Sequence, residues 1–115
     1  MVAMDLRHDQ VEELRSFCDG VARADEGGYT YLLLSGLRLP PGAAPALIDA
    51  LLCPMPRDGY TSRLFFAAKV TARQALNWNG SIRILERNWE AFSWCISQTN
   101  LRPAQMLATH LTALR

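Results

Sequence analysis

A chain of 115 residues carries one domain, because two cores of half this length would each bury too little apolar surface to fold alone. Half of the residues are hydrophobic and 20% are charged, the balance of an ordinary globular domain without a long disordered tail. Twelve basic against eleven acidic side chains leave a net charge of +1, which gives no general attraction to nucleic acid or to an anionic membrane.

The start, Met1-Val2-Ala3-Met4-Asp5-Leu6-Arg7, lacks the basic and apolar regions of a signal peptide, and no apolar run reaches membrane-spanning length, so a soluble cytoplasmic protein is expected. Asp9 followed by Glu12 reads as a capping box. Val11, Leu14, Phe17, Cys18 and Val21 then fall at helical spacing, predicting an amphipathic helix over 9–21 with Cys18 on its buried face. Asp25-Glu26-Gly27-Gly28 breaks the pattern as a turn.

Tyr29 to Leu39 is aromatic and aliphatic without helical gaps and ends at Pro40-Pro41-Gly42, which predicts a strand interrupted near Gly36. Ala43 to Leu52 fits a short helix by propensity and a strand by alternation, until Pro54 and Pro56 stop it. Arg57-Asp58-Gly59-Tyr60 carries the Asp-Gly hairpin signal, and Leu64 to Val70 reads as the next strand. Asn77-Trp78-Asn79-Gly80 reads as a turn and Ser81 to Leu85 as a further strand. Near the end, Pro103 suits the first turn of a helix whose Met106, Leu107, His110, Leu111 and Leu114 share one face. A helix, several antiparallel strands and a closing helix make an α+β layer.

Three widely spaced cysteines form neither a disulfide framework nor a metal pair, and point to a reducing compartment. With only His8 and His110, at opposite ends, no metal site is expected, and no cofactor is implied. No glycine-rich phosphate loop, Ser-His-Asp order or paired acidic constellation supports a nucleotide-binding or hydrolytic reading. Lys69 is the only lysine beside eleven arginines, which compositional bias explains and which would also limit self-modification by activated acyl groups. His110 reads as helix packing. Of Trp78, Trp89 and Trp94, two are expected to be core anchors rather than parts of a partner surface.

The most informative stretch is Trp89-Glu90-Ala91-Phe92-Ser93-Trp94-Cys95-Ile96, followed by Leu101-Arg102-Pro103-Ala104. With the Leu37-to-Pro41 segment ahead of Gly42, it resembles ubiquitin-conjugating enzymes, and more closely the divergent bacterial ubiquitin-conjugating-like proteins of prokaryotic family E. The resemblance implies a minimal ubiquitin-conjugating (UBC-like) fold over residues 1–115: an N-terminal helix, an antiparallel meander of three or four strands and a C-terminal helix. It thereby selects the strand for Ala43 to Leu52. It further implies that Cys95 accepts a ubiquitin-like protein as a thioester and passes it to a target amine. The implied partners are a ubiquitin-activating-like enzyme, a ubiquitin-like modifier and a target protein, in an antiphage defence setting with a metal-dependent deconjugating peptidase.

Departures from the family pattern are specific. The His-Pro-Asn tripeptide, whose asparagine serves the oxyanion in the eukaryotic enzymes, is missing, leaving Asn79, Asn88 and Ser97 as polar substitutes. Leu101 stands where the bacterial relatives have a tryptophan, and Cys95 where they often have histidine. Cys53, in Leu52-Cys53-Pro54, is the second thiol candidate, and Arg87 or Arg102 would supply positive charge beside Cys95. The alternative function is a UBC-fold binding module without the reaction, which scaffolds an activating enzyme or a modifier.

Overall fold

The computed structural model describes residues 8–60, 62–73, 76, 78–92 and 101–114. In chain order these form α1 (His8–Arg15), β1 (Gly20–Glu26), β2 (Tyr29–Arg38), β3 (Leu47–Cys53), β4 (Arg63–Phe66), β5 (Trp78–Ile84), β6 (Arg87–Phe92) and α2 (Pro103–Thr112). The six strands make one antiparallel sheet in the order β1-β2-β3-β4-β6-β5. The α+β class is as expected, but the sheet holds six strands rather than three or four.

The first helix is shorter than its periodicity suggests. It ends at Arg15, where Ser16 and Phe17 donate to the carbonyls of Glu13 and Leu14, three residues back, and tighten the last turn. Val21, expected on the same helical face, lies in β1 instead. Ala22, Arg23, Ala24 and Glu26 are adequate helix formers, yet register with Ser35 to Tyr29 of β2 overrides that local preference. The turn expected at 25–28 contracts to Gly27-Gly28, both at positive φ, with Asp25 and Glu26 still in the strand.

β2 falls where its sequence places it, β3 takes the strand rather than the helix that Ala43 to Leu52 also allowed and starts only at Leu47, and the interruption near Gly36 is a bulge between Leu34 and Leu37. Gly36 has φ +63°, a left-handed backbone that residues with a Cβ rarely adopt, so the position favours glycine. The extra residue lets Leu34 and Leu37, three apart, both face the helices. β4 is shorter than Leu64 to Val70. After Phe66 the chain leaves β3, with Ala67 donating to the Asp49 carbonyl and Thr71 bridging back to Ala44.

The expected turn around Asn79-Gly80 is instead a bulged start of β5. Gly80, at φ +102°, absorbs the register shift between Trp78 and Ser81. The real turn is Leu85-Glu86, both at positive φ (54° and 62°), which returns the chain into β6. α2 starts at Pro103 as expected.

Each face of the sheet buries its own cluster. Leu32, Leu34, Leu52, Leu64, Phe66 and Phe92 pack against Leu14 of α1 and Leu107 and Leu111 of α2. Tyr31, Leu51, Cys53, Phe65, Ile84 and Trp89 fill the opposite, concave face. In a flat sheet of six strands spaced by about 4.8 Å the outer strands would lie roughly 24 Å apart. Here the Leu85 N–H in the β5–β6 turn donates to the Glu26 carboxylate beside the β1–β2 turn at 3.0 Å. The sheet therefore coils until the β5–β6 hairpin lies over the concave cluster. Among the described residues no helix is long and apolar enough to cross a membrane.

Candidate functional site

Cys95 and Ser97 lie outside the described residues, as does Trp94; the structure describes the two ends between which they fall. The first end is Phe92, 1% exposed, whose ring meets Trp78 at 5.5 Å and Phe66 at 5.8 Å between centroids. Its carbonyl accepts from Arg63 Nη2 at 3.4 Å. Arg63 is itself held by Asp58 at 2.8 Å and stacks over Tyr60 at 4.5 Å, so the Asp58-Gly59 turn anchors the end of β6. Three residues earlier Trp89 is buried and donates from Nε1 to the Ile84 carbonyl at 3.1 Å. Trp89 is thus one core anchor among the three tryptophans, and Trp78 is partly buried against the helix-facing cluster.

The second end is Arg102, extended at φ −72° and ψ 155°, followed by Pro103 at the first helical position. The Arg102 N–H donates to Gln105 Oε1 at 2.8 Å, one arm of a capping box, and its Nε donates to Glu13 of α1 at 2.8 Å. Between the helices runs an open groove of about 360 Å³ lined by Phe17, Ala104, Ala108, Ser16, Gln105 and the Glu13–Arg102 pair.

Two of the three thiols are placed, and neither is accessible. Cys18 is 2% exposed, donates to the Leu14 and Gly20 carbonyls at 3.3 and 3.4 Å, and has its pKa pushed up by burial. This is the small buried hydrophobe expected. Cys53 is fully buried in the concave cluster, donates to the Met55 carbonyl at 3.7 Å, and is also pushed up by burial. A transfer thiol needs thiolate character and an approach path, and Cys53 has neither. Its place at the end of β3, on the inward-facing register, removes it as the alternative nucleophile.

Asn88 is exposed at the start of β6 and accepts from Arg83 Nη1 at 3.2 Å. It lies four residues before Phe92, about 13 Å of extended strand from the end at which the Cys95 segment departs. Asn79 is in β5 and its side chain lies outside what the structure describes. Arg87 stacks over Trp89 at 4.7 Å and donates to Asp49 at 3.2 Å, on the concave side. Asp49 also accepts the Gly36 N–H at 3.0 Å, and these two donors hold its carboxyl below the usual range.

One polar pair has no signature in the sequence. Ser62 Oγ and His110 Nε2 meet at 2.9 Å, 48 residues apart, with exposures of 1% and 0%. Burial, aided by Arg63, lowers the His110 pKa to about 4, and among the described residues Nδ1 has no hydrogen-bond partner. The pair is a neutral core contact between α2 and the start of β4 rather than a nucleophile and base, since no substrate reaches it. Helical periodicity had put His110 on the packed face; its partner was not readable. Among the described residues no group of three or more His, Cys, Asp or Glu is placed to hold a metal ion. The chain matches no family model, no curated protein and no solved structure.

Proposed function

We propose that the protein is a UBC-like thioester carrier of bacterial ubiquitin-like conjugation, with Cys95 as the carrying residue. The observation that best supports this reading is the burial of Cys18 and Cys53, which argues against either of them as the exchanging thiol. Further support comes from the resemblance of the Trp89-to-Cys95 and Arg102-Pro103-Ala104 segments to the bacterial conjugating-like proteins, and from their setting between a sheet strand and a closing helix. In the first step the Cys95 thiolate attacks the modifier's thioester carbonyl on the activating enzyme and releases that enzyme's thiolate. In the second a target amine attacks the new thioester, and Cys95 leaves as thiolate.

The position of Asn88, turned toward Arg83 at the far end of β6, favours the second reading, a UBC-fold module that binds an activating enzyme or modifier without transferring it. A non-reducing gel separates the two. The protein is mixed with its activating enzyme, the ubiquitin-like modifier and ATP. Under the carrier reading an adduct forms that thiol reductant removes, that Cys95→Ala abolishes and that Cys53→Ala retains. Binding to a charged activating enzyme without any adduct establishes the module instead.

A further inference from the structure

β1 is an edge strand that pairs with β2 on one side and, among the described residues, with no strand on the other. Which of its backbone groups face outward follows from its hairpin. Gly27 and Gly28, at φ 60° and 84°, form a two-residue turn closed by the Glu26–Tyr29 pair. In such a hairpin the closing pair exchanges both hydrogen bonds, and bonded and non-bonded pairs then alternate. Asp25, Arg23 and Val21 belong to the non-bonded pairs, so their N–H and C=O groups point out of the sheet. Thr30, opposite Asp25, agrees: its N–H turns away from β1 and donates to the Met55 sulfur at 3.2 Å.

The side chains at these outward positions are oppositely charged. Arg23 and Asp25 share one face of the strand, 3.6 Å apart, and Thr30 Oγ1 donates to the Asp25 carboxylate at 2.8 Å, which orients it. A twofold axis through Ala24, perpendicular to the sheet, would set Arg23 of one copy opposite Asp25 of the other, twice. That register makes four backbone hydrogen bonds and two opposite-charge pairs. Registers centred on Arg23 or on Asp25 would instead oppose like charges. An edge of a single sign repels its own copy; this one is self-complementary in one register.

We propose that the β1 edge docks a second copy of this chain, antiparallel about Ala24, joining two six-stranded sheets into one continuous sheet. The test uses the whole chain in a Cys95→Ser background, by sedimentation equilibrium and by cross-linking. Ala24 opposes itself in a non-bonded pair, with Cα atoms about 4.5 Å apart, inside disulfide range. Mild oxidation of Ala24→Cys is therefore expected to give a covalent dimer, and Ala22→Cys, displaced along the strand, to give none. Asp25→Arg and Arg23→Asp should each raise the dimer dissociation constant about tenfold or more, and the double exchange should bring it back within about threefold of the parent. Circular dichroism melts check that each variant remains folded. Concentration-independent monomers, a dimer indifferent to these charges, failure of the double exchange to recover it, or equal cross-linking from Ala22→Cys and Ala24→Cys would each overturn the proposal.

Discussion

His110 shows how one residue sets a measurable property. Its folded-state pKa of about 4 lies below the ordinary value of 6.5, because burial disfavours the imidazolium. Between these values the unfolded chain binds a proton that the native chain does not. The stability contributed is therefore complete above pH 6.5 and is lost as pH falls towards 4. Urea melts at pH 7 and pH 5 should differ by about 2 kcal/mol on this account. The double variant Ser62→Ala/His110→Leu, which removes both partners, should lack that component, and an unchanged pH dependence would refute the assignment. Tyr31 is pushed up to about 12 on the concave side, with burial outweighing the Arg57 guanidinium that donates to its hydroxyl at 2.6 Å.

At the scale of elements, turns and bulges carry the local strain. Glu86 is a non-glycine residue at φ 62° and exposed, so Glu86→Gly relieves left-handed backbone at little packing cost. A gain of about 0.5–1 kcal/mol in a thermal melt is expected, reduced from the full strain by the extra freedom of glycine when unfolded. Gly36→Ala is the opposite case. Its backbone is left-handed, which alanine resists, while the exposed Asp19 carboxylate beside it can move aside, and a loss of about 1–2 kcal/mol is expected by the same melt. These positions also explain what could be read from the sequence. β2, the Asp58-Gly59 turn and α2 carry strong local signals and stand where they were predicted, whereas β3 comes from a run that also suited a helix. β1 is made of residues that suit a helix, and only pairing with β2 makes it a strand. Asn79-Gly80 has turn chemistry spent on a bulge and Leu85-Glu86 turns without a turn residue, so Ser81 to Leu85 reads as a strand while its start, its turn and its partner β6 do not show in the sequence. The Trp89-to-Cys95 stretch stands out as a motif, whereas the Ser62–His110 contact joins positions whose neighbourhood exists only in the fold.

For the whole molecule, coiling of the sheet gives it two cores, and magnitudes decide what holds the concave one shut. The exposed Glu26–Leu85 hydrogen bond contributes under about 1.5 kcal/mol, whereas burial of Ile84 and Trp89 contributes about 2 kcal/mol or more for each side chain. Glu26→Ala should therefore cost little in a urea melt, and Trp89→Ala about 3–5 kcal/mol. The same coiling seals Cys53 beneath the hairpin, and α1 with the helix-facing core seals Cys18, so the proposed exchange chemistry would fall to Cys95. Pulse alkylation of the native protein with iodoacetamide, followed by peptide mass spectrometry, tests that claim most directly. Cys95 is expected to be modified within the pulse while Cys18 and Cys53 react only after denaturation; a protected Cys95, or a Cys53 that reacts as fast, would contradict it.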